Sequence, residues 1–138
     1  MADIDIVLEY NNFPQLRDQM LRDADRQCET TANRVLTRAR ILIQSGPKTG
    51  RVYKHGNVSH QASAPGEAPA SDTGALASHS KIERESLAHW LVIFFQEHAR
   101  KLEFGTPVQL AARPFLRPGV EAEKQAFIAA MRKIVGDM

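Results

Sequence analysis

Ser45 to Gly74 reads SGPKTGRVYKHGNVSHQASAPGEAPASDTG. It contains no apolar run long enough to make a buried element. Before it lies a helical pattern, and after it a stretch that reads as sheet. That contrast predicts an α+β fold: a small, mostly antiparallel sheet packed against a long N-terminal helix and a C-terminal helix, with a long extended loop between. Loops beyond about 15 residues are uncommon in compact domains and are usually functional or disordered. A segment of this composition cannot bury itself, so a partner is expected to hold it. The sequence therefore points to assembly rather than catalysis.

Before the loop, Asp3 to Tyr10 alternates, with Ile4, Ile6, Leu8 and Tyr10 on one side and Asp5, Val7 and Glu9 on the other. Period two predicts a half-buried strand. Asn11 and Asn12 offer capping chemistry, and Pro14 suits a first helical turn. From Pro14 to Gln44 nothing breaks a helix. Leu16, Met20, Ala24, Cys28, Thr31, Val35, Ala39 and Leu42 recur at three- and four-residue steps. An amphipathic helix of about 30 residues follows, roughly 45 Å long. Ser45-Gly46-Pro47 stops it, with Gly46 available for a left-handed cap. So long an apolar stripe exceeds what a small sheet covers, which predicts that part of it meets another subunit.

After the loop, Leu76 to Glu83 reads as a weakly alternating strand, with a turn near Glu85 and Ser86. Ala88 to Phe95, AHWLVIFF, reads as a buried central strand. Glu97 to Phe104 reads as a short helix ended by Gly105. Pro118 opens a final amphipathic helix with Val120, Phe127, Ile128, Met131 and Ile134 on one face. The organisation is one domain over 1–138: strand and helix to 44, loop 45–74, strands and short helix 75–117, C-terminal helix 118–138.

With 138 residues, 43% of them hydrophobic and 25% charged, the chain can build one core. No apolar run approaches the roughly 18 residues of a membrane span, and the acidic start MADIDIVLEY is unlike a signal peptide. Cys28 stands alone and excludes an intrachain disulfide; mid-helix, it reads as a small core residue. The net charge of +2 does not argue for nucleic acid. Its distribution does invite the question. Between Glu29 and Glu67 there is no carboxylate, but there are Arg34, Arg38, Arg40, Lys48, Arg51 and Lys54. Such an interval reads as a solvated basic face, or as a surface facing phosphates or an acidic partner.

His55, His60, His79, His89 and His98 have no metal-ligand spacing. No nucleophile elbow, phosphate loop or dinucleotide fingerprint is present. Glu97 and Glu103 read as surface ion-pair partners of Arg100 and Lys101. No enzyme, no cofactor and no metal are expected.

Three segments carry glycines and prolines in fixed relation to charges. They are QASAPGEAPASDTGAL at Gln61–Leu76, EHARKLEFGTP at Glu97–Pro107 and AARPFLRPGVE at Ala111–Glu121. In this order and spacing they resemble the neck or tail-completion proteins that act at the head–tail junction of long-tailed bacteriophages. Members carry SAPGEPPAxDTG-like, YAxxLEFGT-like and ARPFLRPA-like segments followed by a C-terminal helix. Here Ala75 follows the DTG, His98 replaces the usual aromatic and Gly119 stands where alanine is common. The resemblance covers about 45–138.

It implies a structural virion protein, assembled in the bacterial host cytoplasm and located in the neck or tail. It would form a ring with itself, commonly sixfold, between the head connector or head-closure proteins and the tail tube or tail terminator. DNA would pass non-specifically through the bore, and no membrane is involved. The expected inter-subunit or inter-ring contacts are Arg51, Lys54, Pro65, Glu67, Pro69, Asp72 and Thr73 in the loop. A second group is Glu103, Phe104, Gly105, Arg113 and Phe115. A small basic nucleic-acid-binding module is the alternative, resting on the basic interval.

Overall fold

A computed structural model describes residues 12–46, 48–69, 74–108 and 110–136. The expected strand Asp3–Tyr10 lies outside the described residues. Helix α1 runs Phe13–Ser45 and is followed by hairpin strands β1, Val52–His55, and β2, Val58–Gln61. Then come a helical turn α2, Ala75–Ser78, strands β3, Ser80–Ser86, and β4, His89–Phe94, helix α3, Ala99–Phe104, and helix α4, Leu116–Gly136. The fold is α+β, with two small antiparallel sheets of two strands each among the described residues.

α1 forms over its full expected length, with proline in its first turn. Its buried stripe is Ala24, Ala32, Val35, Leu36, Ala39 and Ile43. Leu16, expected on that stripe, is exposed. Gly46 ends the helix by a different device from the one expected. Its φ of −69° is extended rather than left-handed, and its N–H donates to the Leu42 carbonyl at 3.0 Å. A Cβ at Gly46 would lie 2.5 Å from that oxygen, so glycine is required by close approach rather than by handedness.

α4 packs antiparallel along α1. A Cβ on its Gly119 would stand 3.1 Å from the Val35 carbonyl, so the two backbones approach closely there. One turn on, Glu123 is buried, taking Arg38 Nε at 2.6 Å and Arg34 Nε at 3.1 Å. Val120, expected on the apolar face, is exposed instead.

β3 and β4 pair from Ser80 opposite Phe94 to Arg84 opposite Trp90, then shift register before Ser86 meets His89. The turn falls at Leu87 and Ala88, two residues past the expected position, and Ala88 takes a φ of 58°. β3 starts at Ser80, because Leu76 belongs to the helical turn α2. β4 is half-buried rather than a central strand, since among the described residues its sheet has one other member. Asp25 on α1 pins the hairpin tip, accepting from Ala88 N–H at 2.9 Å, Trp90 Nε1 at 3.1 Å and Arg84 Nε at 3.2 Å. Cys28 is only partly buried; its thiol lies 3.5 Å from the Ala88 carbonyl, and burial pushes its pKa up.

The core gathers Ala39, Ile43, Leu76, Ala77, Ala99 and Phe115, with Phe94 edge-on to Phe115 at 4.9 Å. Ala68, from the loop, is part of it. Ser63 and Pro69 are buried as well. The stretch 45–74 therefore does bury itself in part, through small residues and proline rather than through an apolar run. It also contains the β1–β2 hairpin, where no secondary structure was expected.

Candidate functional site

The three motif segments, separate in sequence, meet in space. Gly66 N–H donates to the Ala112 carbonyl at 3.0 Å. Arg113 Nη1 donates to the Ser63 carbonyl and, at 2.7 Å, to the Ser63 hydroxyl. Arg113 N–H also donates to the Leu102 carbonyl at 2.7 Å. The loop, the α3 segment and the segment leading into α4 thus form one continuous surface.

Within the loop, Glu67 is the staple. Its carboxylate accepts from Thr49 N–H at 2.8 Å and Ala64 N–H at 2.9 Å, and from the Thr49 hydroxyl. The Ala64 amide, then the Thr49 hydroxyl and amide, hold the carboxyl below the usual glutamate range. Lys48 closes the loop onto the helix end, donating to Leu42 O at 2.9 Å and Ala68 O at 2.7 Å. Desolvation lowers its pKa. At Gly50 a Cβ would meet the Ser63 carbonyl at 2.5 Å, so the two loop limbs come together on a glycine.

Glu103 is not a surface ion-pair partner, as its neighbours Arg100 and Lys101 suggested. Its carboxylate accepts from the backbone N–H groups of Phe115 at 2.8 Å, Leu116 at 3.0 Å and Arg117 at 2.8 Å. These are the free donors at the start of α4, where a negative charge also suits the helix dipole. Gly105 has φ 72° and ψ −178°, a region open essentially to glycine alone. A Cβ there would lie 2.7 Å from both Ala112 N and Leu110 O. Gly105 is thus a point of close approach between the α3 segment and the segment leading into α4 rather than only a helix stop.

The expected contact residues divide. Glu67, Glu103, Gly105, Arg113 and Phe115 hold the chain together, and Phe115 is only 1% exposed. Pro69 is buried. Arg51, Lys54, Pro65 and Phe104 face outward, Phe104 with 74% exposure. Asp72 and Thr73 lie outside the described residues.

The basic interval is also divided. Arg34 and Arg38 neutralise Glu123, Arg40 donates to the Ser80 hydroxyl and carbonyl, and Lys48 is turned into the loop. Arg51, stacked 5.3 Å over the Tyr53 ring, and Lys54 remain on the exposed hairpin. Glu123 offsets one positive charge of the interval, and Arg34 and Arg38 stay largely exposed, so the region remains basic although Arg34, Arg38, Arg40 and Lys48 have fixed internal partners.

Two clefts border the surface. One, about 400 Å³, lies between the hairpin and α3, with Tyr53, His60, Pro69, His98 and Arg113 in its walls. Arg113 Nε is buried there with no hydrogen-bond partner among the described residues. The other, about 450 Å³ and mainly apolar, lies between β4 and the α3–α4 corner. Among the described residues no cluster of three histidine, cysteine or carboxylate side chains could hold a metal, and no helix is long and apolar enough to cross a membrane.

Sequence reading missed Ser63, Asp25 and Glu123. Glu123 had a signal: it lies four residues from Gly119 and from Phe127, on the face α4 turns to α1. Ser63 and Asp25 had none, because their partners lie 50 and more residues away. No family model, no curated protein and no solved structure matches the chain.

Proposed function

We propose that this chain is a structural subunit of the head–tail junction of a long-tailed phage, a neck or tail-completion protein. Copies assemble into a ring between the capsid connector and the tail tube, and DNA passes through the bore without sequence readout. The work is docking, and it needs no catalytic step or cofactor.

One observation carries this reading. The three segments that resemble that family are hydrogen-bonded to one another, through Gly66 to Ala112, Arg113 to Ser63 and Arg113 to Leu102. Motifs that recur together have a physical reason to do so when they build one surface. Glu67, Glu103, Gly105 and Arg113 position that surface, while Arg51, Lys54, Pro65 and Phe104 are the side chains free to meet a neighbour. The exposed aromatic Phe104 is the kind of anchor that dominates protein interfaces.

Complementation of a phage that lacks this gene tests the reading. The intact gene should restore joined particles, whereas Phe104→Asp combined with Arg51→Glu should leave filled heads and finished tails apart in electron micrographs. Normal joined particles without the gene would overturn it.

A further inference from the structure

The β1–β2 hairpin is a ribbon on a fixed base. Gly50 N–H donates to the Ala62 carbonyl and Ala62 N–H to the Arg51 carbonyl, both at 2.9 Å. Just beyond that base, Arg113 holds Ser63 and Glu67 holds Thr49. Cross-strand pairs then run from Val52 opposite Gln61 to His55 opposite Val58. Gly56, with φ 63°, and Asn57 close the tip. The two strands pack chiefly on each other. Every described side chain in them is exposed except His60, which is half-buried.

The ribbon carries charge of one sign. No Asp or Glu occurs between Glu29 and Glu67. Glu67 itself sits at the foot of the loop, where Lys48 offsets it. Arg51 and Lys54 are exposed, and neither has an ion-pair partner among the described residues. Alternation along the strand puts them on opposite faces. Lys54 shares its face with Val52, Ser59 and Gln61. Arg51 lies on the other, its guanidinium 5.3 Å from the centre of the Tyr53 ring.

Duplex DNA presents phosphates at that spacing. Its major groove, about 12 Å wide and about 8.5 Å deep, admits a two-stranded ribbon between two phosphate-lined rims. At about 3.3 Å per residue, Lys54 stands about 7 Å from Gly56, and Tyr53, under the Arg51 guanidinium, about 10 Å. With the tip on the groove floor, one cation comes level with each rim. A flat acidic protein surface would meet one face of the ribbon and leave the other cation in solvent. We infer that the β1–β2 hairpin enters the major groove of duplex DNA tip first, with Arg51 and Lys54 each beside the phosphates of one strand. The contact is electrostatic and independent of sequence. It leaves Pro65 and Phe104 for contacts with protein. It rests on the head–tail reading only for where the DNA comes from.

The test uses the purified full chain and a short fluorescent duplex, read by anisotropy over a range of salt. Binding is expected at low salt, with the same affinity for two unrelated sequences. Arg51→Gln combined with Lys54→Gln should reduce the slope of log K against log salt by about 2. Both side chains are exposed, so the fold is unaffected. A duplex with bulky substituents on cytosine C5, which project into the major groove, should bind more weakly. No binding at low salt overturns the inference, as does an unchanged slope in the double variant. Equal affinity for the C5-substituted duplex overturns it too, because the groove is then not entered. Tighter binding of polyglutamate than of the duplex would assign the hairpin to an acidic protein and overturn it likewise. These readouts use purified protein, so they can fail while the phage complementation succeeds, and the reverse.

Discussion

Arg113 reaches back to Ser63, donating through Nη1 to its carbonyl and, at 2.7 Å, to its hydroxyl. Ser63 is 4% exposed, so these bonds are made in a place where water does not replace them. One side chain thereby fixes the long loop to the segment that opens α4.

Arg113→Met removes those bonds and leaves the Ser63 groups buried without a donor. Hydrogen bonds to charged groups contribute about 1.5–3 kcal/mol each. Urea unfolding should show a loss of about that size. Limited proteolysis should cut faster within the hairpin Val52–Gln61. An unchanged cleavage rate would mean that Glu67 and Lys48 hold the loop alone.

Glu103 serves as the cap of α4 from another helix. Glu103→Ala should lower stability by about 0.5–2 kcal/mol, the range for lost N-terminal caps. Glu103→Gln keeps acceptor oxygen without the charge and should lose less. Equal losses for both variants in urea titrations would show that charge, not hydrogen bonding, is what α4 uses.

Three carboxyls sit below their usual range. The Ala88 amide does this to Asp25, the Ala64 amide to Glu67, and Arg38 to Glu123. A carboxyl with a lowered folded pKa stabilises the fold above its unfolded pKa, and that stabilisation is lost as pH falls through the folded value. The melting temperature should therefore be flat near neutrality, begin to fall as pH drops past ordinary carboxylate values, and keep falling below them. Glu123→Gln should make this acid slope shallower. An unchanged slope would show that Glu123 ionises alike in both states.

The two motif phenylalanines should separate. Phe115 is 1% exposed and Phe104 74%. Phe115→Ala opens the core and should cost about 3–5 kcal/mol. Phe104→Ser should stay within about 0.5 kcal/mol of the parent. Its effect should appear instead in particle assembly, which complementation reads. A large stability loss from Phe104→Ser would assign it to packing rather than to docking.

The helices were legible in the sequence because their determinants are local. A 3.6-residue apolar period, Pro14 at the start and Gly46 at the end define α1 without reference to any other part of the chain. The β3–β4 pair was legible as two β-rich runs with a turn, although its register bulge moved the turn to Leu87 and Ala88. The Ser45–Gly74 stretch was misread where the usual burial signal is missing. Ala68, Ser63 and Pro69 are too small or too polar to announce themselves, and β1–β2 is a short exposed hairpin.

What the sequence determined by itself is the α+β class, the two long helices and the three motif segments. What only the tertiary structure decided is which side chains have fixed internal partners and which are left for others. Arg34, Arg38, Arg40 and Lys48 looked like one basic face with Arg51 and Lys54. The positions of the first four are fixed by Glu123, Ser80 and the Leu42 and Ala68 carbonyls, partners most of which lie far along the chain, and only Glu123 among these offsets charge. Periodicity is written in neighbouring residues, whereas pairing depends on distances that exist only after the chain has folded.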